Sequence, residues 1–172
     1  MLPIILQRRT CRKFGARPVE EEKINEIVKA GLHAPSGMNK QLGEIFVLQN
    51  PEFIKEYTKL NAKAGGLPET LDTFYGAPVV ILVAAKGSPF ADLDGGAMIQ
   101  NMLLEATNQG LGTCWIHRAK AQLKLPETIA LFAKYGIDIE DYEGVDHIAL
   151  GYDVGPKPNE KVIREGRVHF VR

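Results

Sequence analysis

The residues with the most chemistry to offer stand near the start of the chain. In RRTCRKF, Arg8, Arg9, Arg12 and Lys13 fall within six positions, directly behind the apolar run Leu2 to Leu6. A helix there puts Arg8 and Arg12 on one face at i, i+4; an extended chain aligns Arg8, Thr10 and Arg12. Either way two guanidinium forks point together. Such a fork grips phosphate bidentately, and a threonine hydroxyl adds a neutral donor beside it. The bland alternative is a solvated charge run.

Two further stretches carry groups suited to a ligand. APSGMNKQ places Ser36, Asn39 and Gln41 on a glycine-containing loop, where short polar groups can hydrogen-bond a planar polar molecule or simply form a turn. In NQGLGTCW, Gly110 and Gly112 free the backbone for a close approach, with N–H groups able to cradle an anion. This is no dinucleotide fingerprint, because the G-x-G follows a helical pattern and precedes a strand, the reverse of the Rossmann order. The chain has no G-x-x-x-x-G-K, no G-x-S-x-G and no H-E-x-x-H. His33, His117, His147 and His169 are scattered, and Cys114 and His117 fall on opposite faces of an expected strand, which favours a structural role for both.

The elements that must position these groups alternate between helix and strand. PVEEEKINEIVKAGLHAP reads as a helix with acidic residues at its start and Ile24, Ile27, Val28 and Leu32 as its apolar stripe. Glu44 to Gln49 reads as a strand, PEFIKEYTKL as a short helix, and NAKAGGLPE as a loop. Pro78 to Ala85 is apolar on both faces and is expected to be a central strand. DLDGGAMIQNMLLEATNQG is expected to be a buried helix that ends at Gly110. TCWIH, PETIALFAKYG and DHIALGY follow as strand, helix and strand, and RVHFV as a terminal strand outside the compact alternation. This order predicts a layered α/β or α+β fold.

Bulk composition narrows the function. The 172 residues suit one domain, and 21 Lys+Arg against 21 Asp+Glu give no global field for nucleic acid. The arginines also lack interleaved aromatic residues, which opposes a nucleic-acid contact. The apolar stretches are far too short to span a membrane, and two cysteines without a C-x-x-C fit a reducing cytoplasm.

Taken in this order, RRTCRKF, APSGMNKQ, GAPVVILVA, DLDGGAMIQNMLLEATNQGLGTCWI, DHIALGY and the tail RVHF resemble the nitroreductase family of FMN-dependent oxidoreductases, over nearly the whole chain. The resemblance implies a single FMN-binding domain over 1–172. Its fold would be three-layer α+β, with a mixed, mainly antiparallel sheet flanked by helices and a domain-swapped C-terminal strand. It further implies a homodimer with FMN at the interface and NAD(P)H as electron donor. Hydride would then pass by a ping-pong route to nitro compounds, quinones or related small acceptors.

Residue by residue, the resemblance assigns Arg8, Arg9 and Thr10 to the phosphate and ribityl chain, and Arg12 to the N1 and O2 edge of the isoalloxazine. It assigns Ser36, Gly37, Asn39 and Gln41 to a segment reaching FMN from the other subunit. Gly110, Leu111, Gly112 and Thr113 become the backbone wall beside the ring, and Lys161 and Arg164 the basic position completing the phosphate site. No catalytic side chain beyond the flavin is implied; Arg12 tunes its potential. Gln41 is followed by Leu42 and Gly43 instead of the family's Pro-Trp, and the tail reads NEKVIREG instead of carrying Arg-Arg-Pro. No long insertion roofs the pocket, which leaves Ala62 to Gly76 to shape it, with Asn61 and Lys63 as flavin-edge candidates. A storage or redox-sensing flavoprotein, or a related flavin reductase acting in pteridine reduction or dehalogenation, would use the same site.

Overall fold

The computed structural model describes residues 1–156 and 161–172. In chain order it contains α1 (Pro3–Gln7), α2 (Glu21–Leu32), β1 (Gly43–Leu48), α3 (Pro51–Ala64), β2 (Val79–Lys86), α4 (Ala91–Asn108), β3 (Gly112–Ile116), α5 (Ala119–Gln122), α6 (Pro126–Lys134) and β4 (Tyr142–Gly151). The strands form one sheet in the order β1-β2-β4-β3, antiparallel at every pairing. One isolated parallel bridge, Thr10 to Thr113, lays the N-terminal segment along β3 and makes the sheet mixed at that edge.

Apolar alternation sorts the strands into two cores. Val79, Ile81 and Val83 of β2 meet Ile24 and Ile27 of α2 and Ile99, Met102 and Leu103 of α4. Val80, Leu82 and Ala84 meet Phe53 and Tyr57 of α3 and Leu131 and Phe132 of α6. Helices therefore cover both faces, and the architecture is a three-layer α+β fold. Each fully buried Ile, Leu or Met contributes about 1.5–3 kcal/mol over its exposed state, so both faces are firmly clamped. β4 holds its register through a bulge: Val83 pairs with Asp146 but Ala84 with Gly144, which skips Val145. That skip lets Val145 and Ile148, three apart, share a face.

Local chemistry explains where the sequence reading needs correction. PEFIKEYTKL does not stop at Leu60: α3 runs to Ala64, because Asn61 and Ala62 are buried against the core and the chain turns only at Gly65 and Gly66. The Asn50 side chain accepts the Phe53 N–H at 3.0 Å and starts the helix. The apolar run at the N-terminus is α1, begun by Pro3. Two more elements were unforeseen, α5 and the first residues of β4. RVHFV forms no strand within the chain; residues 161–172 are exposed and carry no helix or strand.

His147 sits fully buried in β4, between two partners. Its Nε2 lies 2.8 Å from the Tyr57 hydroxyl and its Nδ1 3.3 Å from the Ile116 carbonyl. Burial pushes its pKa down from 6.5 to about 3. Between those values the unfolded chain binds a proton that the folded chain refuses, so stability falls as pH drops through 6.5 toward 3. From pH 7 to pH 5 this one group is expected to remove about 2 kcal/mol of stability. Urea unfolding at both pH values checks it: His147→Gln should lack that share of the acid loss, and an equal loss in both proteins would refute it.

Candidate functional site

The N-terminal segment is tied to the sheet before it presents its arginines. Cys11 N–H donates to the Thr113 carbonyl at 2.8 Å, and Phe14 bridges Asp153 beyond the end of β4. Both cysteines are free and buried. Burial pushes the Cys11 thiol up to about 11. It also raises that of Cys114, which the nearby positive Arg12 opposes. Arg12 thus stands over the first half of β3.

Several cations elsewhere on the chain find partners. Arg17 meets Glu20, Lys63 meets Glu127 and Lys86 meets Asp141, each within 2.7 Å. Among the described residues, Arg8 and Arg12 have no hydrogen-bond or ion-pair partner. Arg8 is moreover half-buried, where an unpaired charge is costly. Beside them the hydroxyl of Thr113 is buried and likewise unpartnered. Two unpartnered guanidiniums on the segment that bridges β3 make a candidate receptor for an anion, whereas the Thr113 hydroxyl is closed off from solvent. Arg9 differs. Its Nη1 turns back onto the Leu6 carbonyl and onto the Arg8 carbonyl, so it caps α1.

The glycine loop before β3 is not the expected anion cradle. Gly110 at φ +75° closes α4, its N–H bonded to the Thr107 carbonyl and that of Leu111 to the Ala106 carbonyl. Those donors are spent. Gly112 is needed for a different closeness: a side chain there would meet Cys11 Cβ at 2.8 Å and Asp153 Cβ at 2.9 Å. Its smallness lets the arginine-bearing segment lie against the strand. Leu111 to Thr113 pack against that segment.

The loop Ser36 to Gln41 is stiffly braced. Ser36 Oγ accepts the Gln41 N–H at 3.0 Å, Gln41 donates to Asn39 Oδ1 at 2.9 Å, and Gly37 N–H lies 3.1 Å from both oxygens of Asp94. Met38, Asn39 and Gln41 all hold positive φ, 54°, 54° and 52°. Strain that is held in place by bonds preorganises the loop. Within one chain, however, this loop does not meet the arginines. It docks at the start of α4 through Asp94, whereas the arginine segment lies by β3, which follows the end of α4. The fourteen steps from Asp94 to Asn108 span about 20 Å along α4 at 1.5 Å per residue.

Other candidates are placed elsewhere. Asn61 is fully buried, its amide donating to Gln122 Oε1 at 2.6 Å and accepting from Arg118 Nε at 3.0 Å, so it offers nothing outward. Lys63 is held by Glu127. Residues Glu69 to Gly76 do line a cavity of about 780 Å³, together with Val19, Ile54 and Pro78, but neither the arginines nor the braced loop reach it. Lys161 and Arg164 lie exposed in the terminal segment, apart from the arginine cluster's bridge to β3, and Asn159 and Glu160 before them lie outside the described residues. Sequence reasoning missed the partner of His117, which is Asp146 across the sheet at 2.7 Å. The pairing continues the β3–β4 register, in which Ile116 faces His147. No helix among the described residues is long and apolar enough to cross a membrane, and no three of their His, Cys, Asp or Glu side chains gather for a metal.

Comparison with known proteins settles the lineage. The sequence profile of the nitroreductase family matches residues 5–152. The chain belongs to the nitroreductase family. A protein of Archaeoglobus fulgidus provisionally named NADH dehydrogenase/NAD(P)H nitroreductase is 30% identical over 145 residues, 77% of this chain and 80% of that one. A nitroreductase from Bacteroides fragilis, solved with bound FMN, superposes with a TM-score of 0.91 at 27% identity, covering 99% of this chain and 98% of the other. A nitroreductase from Desulfitobacterium hafniense, also with bound FMN, gives 0.84 at 26% identity over 99% and 97%. The nitroreductase fold thus accounts for the three layers.

Proposed function

We propose that this nitroreductase-family chain is an FMN-dependent oxidoreductase that takes hydride from NAD(P)H and passes it by a ping-pong route to a nitro compound, quinone or related small acceptor. One observation carries the reading: Arg8, half-buried, and Arg12 stand without side-chain partners among the described residues, on the segment that bridges β3 at Thr113. The residues present fit the cofactor. Arg8 would hold its phosphate dianion, with Lys161 or Arg164 as a second cation, and the exposed Thr10 suits the ribityl chain. Arg12 would lie at the end of the ring that becomes negative on reduction. FMN, when bound, supplies the hydride chemistry; the chain supplies binding, orientation and charge.

The cofactor site in this reading needs two chains. Ser36, Gly37, Asn39 and Gln41 lie about 20 Å along α4 from the arginine segment, and would serve the FMN of a partner subunit. The apolar residues Val168, Phe170 and Val171 stand almost fully exposed and would be covered by the same partner. Free thiols at Cys11 and Cys114 suit a reducing cytoplasm.

The test is anaerobic mixing of the FMN-loaded protein with NADPH or NADH, followed in the visible flavin band. Rapid bleaching, and recovery of colour on adding a quinone, is the expected result. A chain that holds FMN yet is reduced very slowly would be a storage or sensing flavoprotein, and a chain that refuses FMN would end the reading.

A further inference from the structure

The outer edge of β3 carries a second polar station. The arginine segment joins at Thr113, and four residues further on, roughly 13 Å at 3.3 Å per residue, stands His117. Its side chain is 76% exposed, yet it is not free to turn. Nδ1 lies 2.7 Å from Asp146 Oδ2, and the same oxygen accepts the Trp115 indole N–H at 2.7 Å. Asp146 is 14% exposed by side chain, so the anchor is largely buried while the imidazole it holds is open to solvent.

The contrast with His147 is informative. That ring has both nitrogens engaged inside the core. In His117 the carboxylate takes the Nδ1 hydrogen, which fixes the tautomer and leaves Nε2 turned outward with no partner among the described residues. Charged groups on the surrounding elements are otherwise engaged. Arg118 Nε donates to Asn61, and Lys120 of α5 lies between Asp92 of α4 and Glu143 of β4. Asp146 is therefore the carboxylate that addresses this imidazole.

We propose that His117, oriented by Asp146, is the proton donor of the site, acting on acceptors that build negative charge on oxygen as they are reduced. This rests on the FMN reading above. The acceptor, a quinone for instance, gains a hydride with its electron pair from the reduced flavin, and a proton from Nε2 of the doubly protonated imidazole, whose Nδ1–H stays on the Asp146 carboxylate. The new O–H bond forms as Nε2–H breaks, and the neutral imidazole regains its proton from the solvent to which it is open. His117 is then a catalytic residue and Asp146 a positioning one.

The experiment uses FMN-loaded wild type, His117→Gln, Asp146→Asn and Asp146→Glu. His117→Gln is expected to bind FMN as the wild type does but to slow quinone reduction about 100-fold, the scale of a lost general acid, and to flatten its pH profile. Asp146→Asn should shift that profile, and Asp146→Glu restore it in part. Independently of turnover, the His117 imidazole signal in the NMR spectrum should move when FMN is added to the apoprotein. A His117 signal that ignores FMN, or a His117→Gln enzyme with the wild-type rate and pH profile, would overturn the proposal while leaving the FMN reading intact. Failure of the wild type itself to bind FMN would instead overturn both.

Discussion

Replacing Arg8 with alanine is expected to weaken FMN binding by about 10- to 150-fold, the equivalent of one lost hydrogen bond to a charged group at roughly 1.5–3 kcal/mol. The argument is one of unmet charge. Arg8 is half-buried directly after α1 and has no acceptor among the described residues, so its desolvation is uncompensated until an anion arrives. Arg8→Lys should recover part of the affinity, because an ammonium keeps the charge but not the fork. Arg17→Ala is the control, since that guanidinium is already held by Glu20 at 2.5 Å. Fluorescence titration of FMN with each protein reads the constants. An unchanged affinity in Arg8→Ala would remove the phosphate from this position.

The second large effect is expected on redox poise. Arg12 lies on the same strand edge, close enough to Cys114 for its charge to act on the thiol. Reduction of a flavin places negative charge on the N1 and O2 end of its ring, so a fixed cation there binds the reduced state better than the oxidised one. A charged hydrogen bond of roughly 1.5–3 kcal/mol corresponds to about 30–60 mV for a two-electron couple. Arg12→Ala should therefore lower the midpoint potential by that amount, with a smaller effect on FMN affinity than Arg8→Ala has. Redox titration against a reference dye measures it, and an unshifted potential would take Arg12 away from the ring.

Much of this was legible in the residues themselves. The run VVILVAA, apolar at every position, marked β2 as central, and it lies between β1 and β4 with Val79 to Ala85 all buried. The apolar circumference of α4 likewise marked a buried helix. What the pattern could not show were features decided by contacts between distant segments. α3 continues past Leu60 because Gln122 and Arg118 satisfy the buried Asn61 amide, and nothing near Asn61 in sequence announces them. Gly112 looked like ligand-approach geometry and is packing geometry, since Cys11 fills the space a side chain would take. The same types of residue serve both purposes, and only the fold separates them.

The candidate site divided in a similar way. The positions of Arg8, Thr10 and Arg12 followed from their spacing once one bridge, Thr10 to Thr113, was in place. Arg9, identical in type to Arg8 and Arg12, went to the carbonyls at the end of α1, because a short helix leaves acceptors that the nearest guanidinium can reach. His117 looked idle because its partner lies on β4, 29 positions along the chain.

The central claim is that FMN is held between two chains by the arginine segment of one and the braced loop of the other. Sedimentation velocity of the FMN-loaded protein, followed in the visible flavin band, tests it most directly. The flavin is expected to travel with a species of two chains across the working range of concentration. Flavin sedimenting as free ligand, or firmly with a single chain, would contradict the account.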